Sequence, residues 1–552
     1  NGANVEQIGH LNLAMALHPQ VLMDGRVMFS SWEIQGLRDV RAFALWVIAP
    51  DGRNWNSLSG YSDRPFVHHF ATQMPDGDIV VGRYYNLNNN GFGSLLRYPL
   101  DPPGVDVLSD NPDPASGVIP HERRDPAQPG ELRRDITPFT THLDAPAPCP
   151  GFENNPLGSA FAPYPCTSAQ RRGKLTHPQV TPAVTGVGQL SAELLAVYSP
   201  AAANHRSAGP GTPSTPWYHG EIVLIADGET VPIPAACQGG PGPGCLPGMP
   251  AGLTRVLAED GFNLQWPRPL VSYQAIYGIA EPGTAPPLDD AAIAAEGLVA
   301  GQPFGLIGSS SLIWRDTRPA RNSVFNDRDP FNPFSFDFTW SWVAQGTDAG
   351  LYADADIHAV RIVLQEPLSD LSYPDNNLQH LTHGRERLRI LGEIPVRGVF
   401  SGKPGNPQST LPDGSVVTDT SFLTRVPADT AFMFQTIDRR GLALNTGQTW
   451  HQVRPGEARY DCGGCHSHSK ESLDFALTAA DRGDYIRRDV ALQTPLLALT
   501  AGGQDALEVR PQRFVSVEYF RDIVPVLDAR CASCHGASNP AGPGPGLTLA
   551  SN

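Results

Sequence analysis

The sequence predicts a mainly β fold: a six- or seven-bladed β-propeller with a short helical segment at its C-terminal end. Three observations predict it. First, 55 Gly and 54 Pro make up about a fifth of the 552 residues. Both residue types break helices, so a predominantly helical protein is excluded. Second, Asp24-Gly25, Asp51-Gly52 and Asp76-Gly77 each sit between short apolar, β-branched runs, which is a hairpin signal. Third, one order of segments returns along the chain. His18-Pro-Gln-Val-Leu-Met-Asp24-Gly25 is followed by Phe43-Ala-Leu-Trp-Val-Ile48. His69-Phe-Ala-Thr-Gln-Met-Pro-Asp76-Gly77 is followed by Ser94-Leu-Leu-Arg-Tyr98. His177-Pro-Gln-Val180 is followed by Glu193–Tyr198 and Glu221–Gly228. A unit of about 40 to 55 residues holding about four strands is the period of a propeller blade. A set of β-sandwiches with similar turns is the competing architecture.

Further strands are expected at Pro269–Gly278, Gly305–Trp314 and His358–Leu364. Residues 1–390 are therefore read as the propeller. Long insertions rich in Pro, Ala, Gly and Asp interrupt it at 102–176 and 200–217. Residues 386–450 alternate as strands and form either a last blade or a small β-domain. Beyond them only Ser472–Arg482 and Ser516–Arg530 read as helices. In the second, Phe520, Ile523, Val524 and Leu527 share one face.

The chain is acidic, with net charge −16. That argues against nucleic-acid and anionic-membrane partners, which a chain of this sign repels. No window approaches the run of about 18 apolar residues that a membrane span requires.

Eight cysteines fall into two kinds of group. Cys462-Gly-Gly-Cys465-His466 and Cys531-Ala-Ser-Cys534-His535 both match C-x-x-C-H, the attachment motif for c-type haem. Two thiols at this spacing reach the two vinyl groups of one haem, and the adjacent imidazole lies beneath the iron. Two covalent haems c are expected, with His466 and His535 as proximal iron ligands. Residues 451–500 form the first haem segment. Residues 510–552 form a second, cytochrome c-like helical haem segment that ends short of a closed cytochrome domain. The alternative is structural zinc, held by Cys462, Cys465, His466 and His468, but four ligands within seven residues crowd one another. Asp354, Asp356 and Asn326–Asp329 are compatible with calcium and equally with solvated loops, so neither metal is predicted. Distal or nearby candidates for the first haem are His468, His451, His68 and His69, with His380 and His383 beside them. Methionine, the usual sixth ligand, does not occur after Met433.

Cys149 with Cys166, and Cys237 with Cys245, bracket loops of Pro, Gly and Asn, and are expected to form disulfides. Disulfides and haem c attachment both point to an exported chain, periplasmic or extracellular, with its signal peptide removed.

Three segments together carry a resemblance. They are Val426-Pro-Ala-Asp-Thr-Ala-Phe-Met-Phe-Gln-Thr-Ile-Asp438, Trp450-His-Gln-Val-Arg-Pro-Gly-Glu-Ala-Arg-Tyr-Asp-Cys-Gly-Gly-Cys-His466 and Phe520-Arg-Asp-Ile-Val-Pro-Val-Leu-Asp-Ala-Arg-Cys531. The combination resembles the hydrazine synthase alpha-subunit family, across its middle and C-terminal domains. The resemblance implies a propeller that carries one haem c and a C-terminal domain that carries another. In that family the propeller-associated haem is the catalytic one, with a tyrosine iron ligand shortly after the motif. Here His466 is followed by Ser467-His-Ser-Lys-Glu-Ser-Leu473, and the next tyrosine is Tyr485.

The leading expectation is an exported dihaem cytochrome that transfers electrons. Its partners would be redox proteins or other cytochrome subunits, within an oligomer or larger complex. One alternative is a haem enzyme acting on small nitrogen compounds at an open five-coordinate iron. Another is a propeller binding module whose haems are structural cross-links.

Overall fold

A computed structural model gives the architecture. It describes residues 5–10, 15–32, 43–58, 67–84, 95–98, 122–124, 132–134, 137–138, 174–182, 192–199, 220–225, 253–259, 262, 264–283, 288–315, 352–366, 387–446, 450–460, 462–463, 472–512 and 523–531. The protein is mainly β with few helices, as the glycine and proline content predicts.

Most strands belong to five four-stranded sheets. The first is a meander of Met15–Val21, Val27–Trp32, Phe43–Ile48 and Asn56–Ser57. The second pairs Val67–Gln73, Ile79–Tyr84, Leu95–Tyr98 and Thr137–Pro138. The third is a meander of Lys174–Pro182, Ala192–Ser199, Glu221–Ile225 and Leu253–Leu257. Asp24-Gly25, Asp51-Gly52 and Asp76-Gly77 turn the chain as their composition predicts. The three glycines take φ of 87°, 87° and 96°, a region closed to most side chains.

The other two sheets are woven from distant segments. Phe304–Ser309 pairs antiparallel with Phe422–Pro427, and short parallel strands at Ala458–Arg459 and Arg488–Asp489 flank the pair. Ala359–Glu366 lies between Arg387–Pro395 and Phe432–Ile437, with Ala443–Thr446 outside the latter. Strand pairing therefore runs across residues 386–390. The 451–500 segment adds strands to the same sheet system.

Three pairs of sheets bury apolar faces against one another. Leu22, Met28, Leu45 and Val47 of the first meet Ala71, Ile79 and Val81 of the second. Met74, Val80 and Leu95 meet Leu175, Leu194 and Val223 of the third. Ile307, Phe422 and Val426 meet Val360, Ile362 and Phe432 in the last two. The first sheet is also tied to the late segment. Trp55 Nε1 donates to the Trp450 carbonyl at 3.0 Å, and Arg459 Nη1 to the Trp55 carbonyl at 2.9 Å. Gln452 bonds the Ile8 carbonyl and the His10 amide.

Two expectations need correction. Pro269–Gly278 is not a strand: Tyr273–Tyr277 is a short helix. Ser272 caps it by accepting from the Ala275 amide, and Gly278 ends it with φ of 71°. Those capping signals, together with tyrosines one turn apart, outweigh the apolar alternation. The two phenols reach back to the Leu22 and Gln73 carbonyls. Ser472–Arg482 is not an α-helix either. It forms two 3-10 turns, Phe475–Leu477 and Ala479–Asp481. The Ala479 and Ala480 amides donate to Asp419 Oδ2 and Ser421 Oγ, which withdraws them from any helical ladder. The helix before Cys531 is described over Val524–Arg530. The insertions lie largely outside the described residues, apart from a hairpin of Glu122–Arg124 with Leu132–Arg134, the strand Thr137–Pro138, and residues 174–176, which already belong to the strand Lys174–Pro182.

Candidate functional site

The first C-x-x-C-H motif starts where the strand Phe304–Ser309 ends. The Ser310 amide donates to the Cys462 carbonyl at 3.1 Å, and Ser309 Oγ to the same oxygen at 3.3 Å. A run of buried hydroxyls supports that corner. Ser311 Oγ lies 3.3 Å from Thr420 Oγ1 and accepts from the Ile313 and Trp314 amides. Trp314 then packs with Leu411 and Leu473. Gly463 is buried, and a Cβ there would lie 2.2 Å from Ser472 Cβ. Only glycine permits the approach of the chain entering the motif to the chain leaving it. The Leu473 amide closes the contact on the Gly463 carbonyl at 2.9 Å.

The segment leaving the motif is pinned by a buried ion pair. Lys403 Nζ donates to the Asp419 carboxylate at 3.1 Å and to the Asp419 and Ser421 carbonyls at 2.6 and 3.1 Å. The two side chains are 1% and 0% exposed. Asp419 also accepts from Ser409 Oγ, Ser421 Oγ and the Ala479 amide. Burial lowers the Lys403 pKa to about 8, against the pull of Asp419. For Asp419, burial works upward but is outweighed by Lys403 and by those hydrogen bonds, so its carboxyl is held below its ordinary value. Further along, the Ile486 amide donates to the Gly402 carbonyl. Gly402 has φ of 76°, and a Cβ there would lie 2.4 Å from the Ile486 carbonyl oxygen.

Cys462 is half-buried. Cys465, His466 and His468 lie outside the described residues. Tyr485 is engaged elsewhere: its hydroxyl lies 3.3 Å from both the amide and the carbonyl of Leu423. Burial pushes its pKa up to about 12. His451 pairs through its backbone with Phe432. Its ring packs on Phe432, Phe434 and Trp46 at 6.4, 5.1 and 6.3 Å. Burial, then the nearby Arg459, pushes its pKa down to about 4, which keeps the ring neutral at neutral pH. His68 and His69 stand in the strand Val67–Gln73, opposite Arg83 and Gly82, with side chains not described. His380 and His383 lie outside the described residues.

The second motif begins at Cys531, at the C-terminal end of Val524–Arg530. That helix buries no residue, and Ile523 and Val526 are 37% and 56% exposed. Val524 and Leu527 are half-buried beside the first thiol of the motif. Cys534 and His535 lie outside the described residues, as do Cys149, Cys166, Cys237 and Cys245. Asp354 is paired with Arg315 at 2.5 Å, and Asp356 accepts from the Ala353 amide. Asn326–Asp329 lies outside the described residues.

Sequence reasoning missed Lys403, Asp419 and the Ser309–Ser311 corner. Lys403 is one of only three lysines, with Lys174 and Lys470. That rarity was the one signal available.

The fold and this corner define a mainly β protein in which a cysteine motif closes a mixed sheet. Residues 356–467 match the model of the hydrazine synthase alpha subunit middle domain. The resemblance drawn from the sequence therefore holds, and the chain is hydrazine synthase alpha-like over that stretch. The hydrazine synthase subunit alpha of Kuenenia stuttgartiensis is 29% identical over 171 residues, covering 25% of this chain and 21% of the relative. The chain thus spans about a fifth of the length of that curated relative. A solved structure of Kuenenia stuttgartiensis hydrazine synthase aligns with 98% of this chain and 58% of its own, at TM-score 0.49 and 17% identity.

Proposed function

We propose that the protein is an exported dihaem c-type cytochrome built on a β-propeller, passing electrons within a larger assembly. The observation that carries the reading is the pair of C-x-x-C-H motifs, the first opening at Cys462 on the corner held by Ser309 and Ser310, the second at Cys531 on the end of a helix. The first corner fits the group: Cys462 is held by Ser309 and Ser310, and Gly463 lets the two arms of the motif close together. The second also fits, because a helix whose Ile523 and Val526 are exposed leads directly into Cys531. A haem edge is the surface that such a helix covers in small cytochromes.

Cys462, Cys465 and His466 would hold one haem, and Cys531, Cys534 and His535 the other. A bound haem c supplies one-electron redox chemistry, with a potential set by axial ligand and burial. The chain's own residues fix the entry and exit of the first site through Ser310 and the Lys403–Asp419 pair. The five four-stranded sheets are the blades in this reading. Membership of a complex rests on the middle-domain match to the alpha subunit of a synthase. Periplasmic or extracellular location follows from haem c chemistry.

The same match favours a second reading, a hydrazine-synthase-like haem enzyme acting on small nitrogen compounds at an open iron. Tyr485, tied to Leu423, and His451, packed among aromatic rings, are both engaged away from such a role.

Optical spectra of the purified protein, oxidised and reduced, with and without carbon monoxide, test both. Two covalent low-spin haems without a carbon monoxide shift are expected for electron transfer. A high-spin haem that binds carbon monoxide would replace that reading with the enzyme. Absence of covalent haem would end both.

A further inference from the structure

The buried Lys403–Asp419 pair is bonded into both sides of the corner at which the first C-x-x-C-H motif begins. Asp419, Thr420 and Ser421 are consecutive and buried. The outer two hold Lys403, whose Nζ meets the Asp419 carboxylate at 3.1 Å and the Asp419 and Ser421 carbonyls at 2.6 and 3.1 Å. The middle one reaches the corner. Thr420 Oγ1 lies 3.3 Å from Ser311 Oγ and accepts from the Leu312 amide at 3.0 Å. Ser309 Oγ in turn lies 3.2 Å from the Ser311 carbonyl oxygen and 3.3 Å from that of Cys462. On the other side the Ala479 amide, in the segment that leaves the motif, donates to Asp419 Oδ2 at 2.8 Å.

A charge in that position is felt at the motif. Buried charges are screened far less than exposed ones, and Coulomb attraction acts in every direction. With both partners ionised the pair is neutral. With the amine deprotonated it is a carboxylate of net charge −1. Burial lowers Lys403 to about 8, against the pull of Asp419. Asp419 is held below its ordinary value, so near that pH the amine is the member that changes charge. The other charged or titratable groups around the pair are few. Arg397 stands on the same loop as Lys403 and donates to the Ile357 carbonyl. Arg488 donates to the Phe400 carbonyl at 2.8 Å. Tyr485, against Gly402, is pushed up to about 12. Asp481 and Arg482 are exposed beside the second 3-10 turn. Protons have a way in: Ser409, between exposed Gln408 and Thr410 on a short hairpin, donates to Asp419 Oδ2 at 2.6 Å.

We propose that this pair couples reduction of the first haem to the uptake of a proton. The inference rests on the haem reading of Cys462, Cys465 and His466. The step balances as one electron passed from the redox partner to the haem iron, Fe(III) to Fe(II), and one proton passed from solvent to Lys403 Nζ. The ammonium favours the added electron and the electron favours the ammonium, so the coupling is reciprocal. Below the Lys403 titration the amine is already charged and the potential of the first haem is level. Above it the potential falls as pH rises.

The test is a spectroelectrochemical titration of the full haem-loaded chain from about pH 6 to about pH 10. Pyridine haemochrome first counts the covalent haems, and Cys462→Ser with Cys465→Ser assigns the wave of the first one. The alkaline fall of that wave should span about one pH unit, a tenfold difference in proton affinity between the oxidised and reduced chain. Lys403→Met should abolish the fall and leave the second wave unchanged. Lys403→Met with Asp419→Leu removes both charges and keeps an apolar filling, so it serves where the single variant unfolds. It should also be level, close to the neutral-pH potential of the parent. A merely structural role would move stability and not this profile. Two haems with no alkaline fall in the first wave, or a fall that persists in the variants, overturns the inference and leaves the haem reading standing. Absence of covalent haem ends the haem reading and this inference with it.

Discussion

Replacing Lys403 with Met tests whether the buried ion pair clamps the segment that leaves the first C-x-x-C-H motif. Met has nearly the length of Lys, so packing is conserved while the charge and three donated hydrogen bonds are lost. Breaking a buried pair by removing one partner costs about 3 to 5 kcal/mol, because the other charge stays in low dielectric. Asp419 keeps Ser409, Ser421 and the Ala479 amide as donors. That support places the expected loss near the lower end, about 3 kcal/mol. The sign of the pH dependence is also determined. In the native protein Asp419 is held below its ordinary pKa, so its contribution is present above the unfolded carboxylate pKa and lost as pH falls through the folded one. Without Lys403, burial raises that pKa, and stability is lost as pH rises through the carboxylate range. The deficit of the variant should therefore grow between pH 4 and pH 7. Urea unfolding followed by circular dichroism at both pH values measures it. A loss below about 1 kcal/mol at pH 7, or a deficit independent of pH, would refute the reasoning. The double variant Lys403→Met, Asp419→Leu should recover most of the loss.

Other outcomes follow from the same geometry. Cys462→Ser with Cys465→Ser should remove one of two covalent haems, read as half the pyridine haemochrome absorbance. Gly463→Ala places a methyl against Ser472 and should cost about 1 to 3 kcal/mol by overpacking, with disturbed incorporation of the first haem only. Tyr485→Phe should leave the haem spectrum unchanged and cost about 1 kcal/mol, since its hydroxyl bonds only the Leu423 backbone among the described residues. Acid should destabilise the fold before carboxylates titrate. His451 is held near 4, so the unfolded chain takes up its proton first. Stability should then fall as pH drops from about 6.5 towards 4, by at most about 1.4 kcal/mol per pH unit for this group. His451→Phe should flatten that slope, and an unaltered slope would count against the assignment.

The β class, its hairpin turns and the strand positions around 15–48, 67–98, 174–199 and 359–437 were written locally, because alternation and Asp-Gly turns act within a few residues. The C-x-x-C-H motifs are equally local, since their residues are neighbours in sequence, and the haem chemistry drawn from them belongs to the proposed function. What the chain could not reveal alone were partnerships between distant segments. Phe304–Ser309 gains its neighbours from residues 422–427 and 458–459, and no local pattern names them. Ser472–Arg482 has helical composition, yet Asp419 and Ser421 take its amides. That is decided by residues some sixty positions away.

The repeat itself divides the same way. His18-Pro-Gln and His177-Pro-Gln were visible as recurring letters, and they marked equivalent strand starts. Only the folded sheets bring the two imidazoles into one square with Phe70 and Trp266, beneath Arg268. The physical reason is one of range. Backbone preference and turn chemistry are settled by near neighbours, whereas burial, ring packing and charge compensation depend on which faces meet after the sheets have packed.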